Sequence, residues 1–238
     1  MARLHPTCGT AGLPSSRLLR LIAGFLLWMS VEQPAAAQAI AAEQALIAAS
    51  GRGDAKEVAR LIGGGADVNA RDGGGRTALL AATQGNHVEA ARVLIAAKSD
   101  VNAKDHIQDS PYLLAGASGH IEILRLTLAS GADLASVNRY GGTALIPAAH
   151  YGHVETVREL LGTAIDIDHI NNLGWTALLE AIILGDGGAR HTEIVRLLVA
   201  AGASVNLGDR DGKRPLAHAQ SRRQGEIVNI LSAAGAIP

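Results

Sequence analysis

Apolar and polar positions along residues 41–238 follow a pattern that predicts short, paired helices. Segments such as HVETVRELL (153–161) and HTEIVRLLV (191–199) place apolar residues at i, i+3, i+4 and i+7, which puts them on one face of a helix. A shorter run of small apolar residues, such as TALIPAA (143–149), precedes each of them. The pattern therefore predicts pairs of helices, of which the second is amphipathic.

The helix pairs recur with a fixed period. Thr77, Ser110, Thr143 and Thr176 are each separated by 33 residues, and Arg214 follows after 38. A second marker keeps the same phase: GADVN (65–69), SDVN (99–102), GADLA (131–135), AIDID (164–168) and GASVN (202–206). Because the five additional residues fall inside GDGGARH, we interpret this segment as a lengthened helix–helix connection. It matches neither GxxxxGK[ST] nor GxGxxG, so a phosphate site is not predicted.

The ends of the first helix are marked in each period. A turn rich in Asp, Asn and Gly precedes Thr or Ser, which we expect to cap the helix N-terminus. Pro111 and Pro215 follow in the first helical turn, where a missing N–H costs little. Pro147 lies further inside its helix, and we expect local strain there. The predicted stops are Gly53, Gly119, Gly152 and Gly185, with Asn86 in their place in one repeat.

One such helix pair cannot bury its apolar face alone, so stacking of successive pairs is predicted. The spacing, the TAL/SPY/RPL start, the Gly-His corner and the GADVN end together resemble the ankyrin repeat. The resemblance implies an all-α solenoid of about six helix-turn-helix repeats with β-hairpin-like turns. The predicted domain covers residues 40–238. Its approximate repeats are 41–71, 72–104, 105–137, 138–170, 171–208 and 209–238.

The first 39 residues have the features of a secretory signal peptide. Three arginines precede an apolar run at 21–31, and small residues follow, as export signals require. Cleavage after Ala39 places Ala37 at −3, and cleavage after Ala37 also fits. The alternative is an uncleaved membrane anchor. However, eleven apolar residues are fewer than the ~20 that span a bilayer.

Removal of this segment changes the composition of the chain. The only cysteine, Cys8, is lost, and 18 basic and 21 acidic residues remain, for a net charge of −3. Disulfides and thiol chemistry are thereby excluded, and no basic surface for nucleic acid is predicted. We expect a soluble monomer in the periplasm or outside the cell, with no membrane association after signal removal.

Histidine, carboxylate and serine positions give no strong indication of a metal site or of catalysis. His87, His120, His153 and His191 occupy one repeat position, where the resemblance implies a structural hydrogen bond, and neighbouring repeats are roughly 10 Å apart. DIDHINN (166–172) lacks the glycine of a calcium loop and is interpreted as a polar turn. No GxSxG is present, and Glu180 is interpreted as a lone, solvated helix residue. We predict no catalytic residue, cofactor or metal.

The few aromatic residues indicate a binding surface instead. Tyr112 takes the repeat's leucine position and is predicted to lie in the core. In proteins that this sequence resembles, turn tips and the first helix's end line the concave binding face. Aromatic rings often anchor interfaces. The predicted partner-binding residues are Tyr140, Tyr151 and Trp175, with His150, Arg139, Asn172 and Leu173 beside them. Arg210, Asp211 and Lys213 extend the polar edge.

The predicted function is a non-enzymatic scaffold that binds another protein through the concave face. The alternative is a small-molecule or metal-binding module that uses His150, Tyr151 and the 186–190 loop. An enzyme is the least favoured interpretation, since no nucleophile, base and orienting acid occur together in a motif.

The signal prediction can be checked on the exported protein. We expect its N-terminus to be Gln38 or Ile40, since small residues at −3 and −1 direct cleavage. Intact-mass and N-terminal peptide mass spectrometry would measure this. Recovery of secreted protein that begins at Met1 or Ala2 would contradict the prediction.

Overall fold

The computed structural model describes residues 36–238, and residues 42–238 form one compact unit. The helices are α1 (36–51), α2 (Ala55–Gly63), α3 (Ala78–Gln84), α4 (Val88–Ala96), α5 (Pro111–Ser118), α6 (Ile121–Ala129), α7 (Leu145–His150), α8 (Val154–Leu161), α9 (Ala177–Ile183), α10 (Ala189–Ala200), α11 (Pro215–Ser221) and α12 (Gly225–Ala233). Within 36–238 there is no β-strand, only one isolated antiparallel bridge, between Arg71 and Thr77. The predicted all-α class is confirmed.

The helices stack in two layers. Each odd-numbered helix from α3 onward packs on the even-numbered helix that follows it, and each helix also contacts its equivalent in the next repeat, as α7 contacts α9. The core follows the repeat. The buried residues Leu79, Tyr112, Leu145 and Leu178 are spaced by 33. Tyr112 lies in the core as predicted. Each pair therefore buries its apolar face against its neighbours.

Three of the predicted N-caps form. The hydroxyls of Thr77, Ser110 and Thr176 each accept a hydrogen bond from the backbone N–H three residues later, at 3.2 Å. Their carbonyl oxygens each accept the N–H four residues later at 2.9–3.0 Å. The hydroxyl thereby satisfies one of the free N–H groups at each of these helix starts, and the carbonyl begins the regular helical bonding.

The predicted cap at Thr143 is wrong. Its hydroxyl is buried and has no hydrogen-bond partner among the described residues, and α7 begins without a side-chain cap. The cause is Pro147, which has no N–H to donate to the Thr143 carbonyl. The Ile146 N–H donates to that carbonyl instead, at 3.3 Å. The Ile146 N–H, equivalent to the N–H that donates to the cap hydroxyl in the other helices, is thus already engaged.

At two corners between helices, a histidine forms a hydrogen bond to the preceding repeat. The ring N–H of His87 donates to the Gly51 carbonyl at 3.0 Å, and that of His191 donates to the His150 carbonyl at 2.8 Å. The His153 ring packs against Gly119, where an added Cβ would lie 2.6 Å from its Nδ1. The implied structural hydrogen bond is confirmed for His87 and His191. Gly53 has a positive φ, and a Cβ there would lie 2.5 Å from the His87 ring.

Of the other predicted helix stops, Gly185 is the one that does not take the expected conformation. Asn86, Gly119 and Gly152 also have positive φ, as expected at a left-handed corner. In the fifth repeat α9 ends at Ile183 with Leu184 as its C-cap, and Gly187 is the residue with positive φ. Gly185 does not take the left-handed conformation, although a Cβ there would lie only 2.1 Å from the Ala181 carbonyl oxygen.

The five additional residues divide between the connection and the helix. Five residues join α9 to α10, whereas three join α7 to α8, and α10 has twelve residues where α6 has nine. His191 therefore lies inside α10, whereas His153 precedes α8. The insertion is a lengthened connection only in part, because two of its residues, Ala189 and Arg190, extend the helix together with His191.

Ion pairs connect the outer helices. Arg125 contacts Glu159 at 2.8 Å, Arg158 contacts Glu193 at 3.5 Å and Arg196 contacts Glu226 at 3.0 Å. Each pair spans two repeats, although exposed pairs contribute little individually.

The predicted signal peptide lies almost entirely outside the described residues. Within 36–238, no helix combines the length and the apolar character needed to cross a bilayer.

The missing cap at Thr143 leads to a comparison of two valine variants. Thr176→Val removes a formed cap and should lower the free energy of unfolding by ~1 kcal/mol. Thr143→Val removes a buried hydroxyl without a partner and should leave stability unchanged or raise it. Urea denaturation followed by circular dichroism measures both. Equal losses in the two variants would contradict this account of Pro147.

Candidate functional site

A cleft of about 700 Å³ lies between the hairpin tips and the first helices of the third to fifth repeats. We call the surface formed by the tips and the C-terminal ends of these helices the concave face. Five of the seven predicted partner-binding residues line the cleft: Arg139, Tyr140, His150, Tyr151 and Leu173. Such a volume lies within the range of ligand pockets in proteins.

Tyr140 stands at the tip of the hairpin before α7. Its side chain is exposed (57%), although the tip itself is rigid, since Asn138 Oδ1 accepts the N–H groups of Tyr140 and Gly142. The Arg139 guanidinium lies 5.2 Å from the Tyr140 ring centroid and pairs with Asp109 at 3.2 Å. The ring is therefore fixed from one side by a cation and left open to solvent on the other.

A second exposed ring lies at the end of α7. Tyr151 is the C-cap of this helix and is 55% exposed. The His150 ring stacks on it, with centroids 4.3 Å apart and planes 11° from parallel. Two aromatic residues from different elements thus border one cleft.

Asn172 and Trp175 lie beside the cleft and do not line it. The Asn172 N–H donates to the Tyr140 carbonyl at 2.9 Å, and the Asn172 side chain packs where a Cβ on Gly141 would be. Trp175 is partly buried, and its backbone closes the hairpin with Asn171. These contacts support the neighbouring tip and hold Tyr140 in place.

Glu180, interpreted from the sequence as solvated, is buried in the cleft floor and only 5% exposed. Its Oε1 accepts a hydrogen bond from the Asn171 side-chain amide at 2.8 Å. Its Oε2 lies 3.4 Å from His150 Nδ1. The solvated interpretation is wrong because α7 and the hairpin of its own repeat cover this position of α9.

Burial sets the protonation of this pair. It raises the pKa of Glu180 to about 7, against a smaller lowering by the Asn171 hydrogen bond. Burial, with a contribution from nearby His191, lowers the pKa of His150. Both shifts favour the uncharged forms. The cleft floor therefore holds a carboxyl group that gains or loses a proton near neutral pH.

The repeat alignment contains a signal for Glu180. Equivalent positions hold Ala81, Leu114, Pro147 and then Glu180 and His218. Only the last two are polar, and each has a partner nine residues earlier. Glu180 bonds Asn171, and His218 Nε2 contacts Asp209 Oδ2 at 2.7 Å. A polar residue at an otherwise apolar repeat position, paired with an Asn or Asp at this spacing, indicates burial.

The 186–190 loop does not reach this cleft. Asp186 Oδ1 contacts the His191 ring at 2.7 Å, and the Gly188 N–H donates to the same carboxylate at 2.9 Å. Its polar groups are therefore engaged in closing the corner. Within residues 36–238, no three His, Cys, Asp or Glu side chains are grouped so that they could hold a metal ion.

Comparisons with known proteins agree with this architecture. Family models described as ankyrin repeats match residues 22–105, 112–190 and 173–210. Together they cover more than half of the chain. The protein belongs to the ankyrin repeat family, whose members generally mediate protein–protein interaction and are generally not enzymes.

Individual relatives fit the same assignment. The chain is similar to the crystal structure of an ankyrin repeat domain from Acinetobacter baumannii AYE, with 55% identity, a TM-score of 0.79, and coverage of 81% of this chain and 98% of that one. The ankyrin repeat domain of Bcl-3, a member of the IkappaB family, shows 28% identity and a TM-score of 0.73, over 81% and 86% of the two chains. The ankyrin repeat protein YahD of Escherichia coli (strain K12) is 51% identical over 57 residues, which are 24% of this chain and 28% of YahD.

The raised pKa of Glu180 predicts a pH-dependent effect of Glu180→Gln. The stabilising contribution of the Glu180 carboxyl group to the wild-type fold is fully present below pH 4.5. It is lost as the pH rises through about 7, because the folded state then holds a buried charge. The amide cannot ionise. The variant should therefore gain about 2 kcal/mol relative to wild type between pH 5 and pH 8.

Urea denaturation at both pH values measures this gain. Glu155→Gln, which changes an exposed carboxylate of α8, is the control, and its difference from wild type should stay constant. A constant difference for Glu180→Gln as well would contradict the raised pKa.

Proposed function

We propose that this protein is an exported scaffold that binds another protein through the concave face, with the cleft at the centre of the contact. The observation that carries the proposal is the pair of exposed rings, Tyr140 and Tyr151, on either side of one cleft. Aromatic residues around a central pocket are frequent interface hot spots. The protein then acts by holding or delivering its partner.

The hairpin tips support this proposal because they are joined to one another. The His106 N–H donates to the Gly74 carbonyl at 3.0 Å, and the Asn172 N–H donates to the Tyr140 carbonyl at 2.9 Å. His169 Nε2 contacts the Gly141 carbonyl at 2.7 Å. A surface that is already ordered loses little conformational entropy on binding.

The rim of the interface would be polar. Arg139, Asn172 and Leu173 surround the Tyr140 tip, and the exposed Arg210, Asp211 and Lys213 continue the row of tips toward the C-terminus. Rim groups of this kind affect orientation and association rate more than affinity.

Export is part of the proposal and is supported by the N-terminal sequence pattern. A chain without cysteine after removal of residues 1–39 needs no disulfide formation in the periplasm. We propose that the mature protein works there as a monomer.

One observation favours a second candidate function, the binding of a small molecule. The cleft has a volume suited to a ligand, and its floor holds the Glu180–His150 pair. In this case His150 and Tyr151 would contact the ligand, and the 186–190 loop would not. Calorimetry against metabolites and metal ions tests it: a micromolar ligand that also raises the melting temperature would favour this candidate.

The scaffold proposal predicts loss of partner crosslinking when the rings are removed. The Tyr140→Ala, Tyr151→Ala, Trp175→Ala variant should recover at least tenfold less partner from the native compartment, since truncation of hot-spot rings costs about 2 kcal/mol or more. Because Trp175 lies outside the cleft, the double variant at Tyr140 and Tyr151 should lose nearly as much.

The control changes an exposed apolar residue away from the cleft, Ile237→Ala. It should recover partners as wild type does. Circular dichroism confirms that all variants fold. Equal recovery by the triple variant and wild type would remove the proposed interface.

A further inference from the structure

The floor of the cleft presents one carboxylate oxygen without a good hydrogen bond. Oε1 of Glu180 is engaged by the Asn171 amide at 2.8 Å. Oε2 has, among the described residues, only the contact to His150 Nδ1 at 3.4 Å, which is longer than a charge-assisted hydrogen bond. A buried acceptor in this state gains from a donor supplied by a ligand.

Part of the cleft wall is apolar. Leu114, Ile146, Pro147 and Leu184 line it together with the two tyrosines, while Ser118, Asn138 and Arg139 are among its polar lining residues. A ligand group that reaches Oε2 along the apolar part combines an apolar stem with a polar end. Long side chains with a charged tip have this character.

The charges around Glu180 leave an ionised carboxylate without a counter-ion. On α7 and at the following corner, burial lowers the pKa of His150 and of His153, which favours their neutral forms. At the cleft mouth, Asp109 and Arg139 pair with each other.

Among the described residues, no lysine or arginine of the helices on the other side of α9 pairs with Glu180. Arg190 of α10 acts on His153 instead. On α10, the His191 ring is held by Asp186 and by the His150 carbonyl. On α11, His218 pairs with Asp209. The site is therefore complementary to a single positive charge.

We propose that the cleft binds a lysine side chain of the partner, with its ammonium group on Glu180 Oε2 and its aliphatic stem between the apolar walls and the tyrosine rings. This inference rests on the proposed scaffold function and names the partner chemistry of the same site. The rings of Tyr140 and Tyr151 pack against the aliphatic stem at the entrance.

Lysine fits this site better than arginine. A guanidinium binds a carboxylate best through two parallel hydrogen bonds, and the Asn171 amide already uses one acceptor site of Oε1. An ammonium group is a point charge and needs only Oε2. The Asn171 hydrogen bond thus favours an ammonium group over a guanidinium.

Binding of the cation requires the ionised carboxylate, so it is linked to proton release. With a pKa of about 7, Glu180 is ionised in roughly a tenth of molecules at pH 6 and nine-tenths at pH 8. The apparent affinity for an ammonium group should therefore rise about tenfold between these pH values.

The test uses Nα-acetyl-lysine methylamide as the probe, titrated into the purified full protein to about 50 mM, a range suited to millimolar affinity. NMR follows the side-chain amide of Asn171, which reports directly on Glu180. We expect saturable shifts and a dissociation constant that falls about tenfold from pH 6 to pH 8. The norleucine analogue should not bind, and the arginine analogue should bind several-fold more weakly.

Two variants localise the effect. Glu180→Gln keeps an acceptor for Asn171 and should abolish lysine binding and its pH dependence. Glu155→Gln changes an exposed carboxylate outside the cleft and should change neither. If Glu180→Gln does not fold, the inference is tested on wild type alone, by comparing the binding of the lysine and norleucine probes at the two pH values. No saturable shift, equal binding of norleucine, or a pH-independent affinity would overturn the inference.

Failure of this inference is distinguishable from failure of the scaffold proposal. If the tyrosine variants lose the partner but the lysine probe does not bind, the proposed interface is supported and the proposed lysine site is contradicted. If the tyrosine variants retain the partner, the scaffold proposal falls whatever the probe does.

Discussion

Contact between neighbouring helix pairs is the interaction on which every other feature of this protein depends. A helix of six to nine residues is too short to be stable alone, and a single pair has nothing to bury its apolar face against. Leu79, Tyr112, Leu145 and Leu178 form a continuous row because each repeat supplies the cover for the one before it. The hydrogen bonds of the corner histidines and the ion pairs of the outer helices join the same neighbouring repeats and hold them in alignment.

The cleft is a product of the same stacking. Its walls come from three successive repeats, so none of them contains the site by itself. Glu180 is buried because α7 stacks against α9, and it tolerates burial because Asn171 and a near-neutral pKa reduce its charge. A packing interaction between repeats has thereby placed a titratable group at the base of an exposed aromatic surface.

The sequence predicted most of the fold, since spacing, caps and corners are local signals repeated several times. It was wrong at Thr143, where Pro147 four residues later removes the N–H that the other repeats use. It was also wrong at Glu180, because the burial of one polar residue depends on a helix from the preceding repeat. Tyr140 and Tyr151 were placed on the cleft by their rarity and repeat position, whereas the contacts of Trp175 and Asn172 depend on how adjacent tips meet.

The lengthened corner between α9 and α10 shows how this architecture accommodates a change in chain length. Three of the five residues enlarge the loop and two join His191 in an added turn of the helix, and His191 still reaches the carbonyl of His150. Downstream repeats consequently keep their phase, and the disturbance ends within one module. An array of this kind can therefore take up extra residues at one corner without a change in the stacking of the helix pairs on either side.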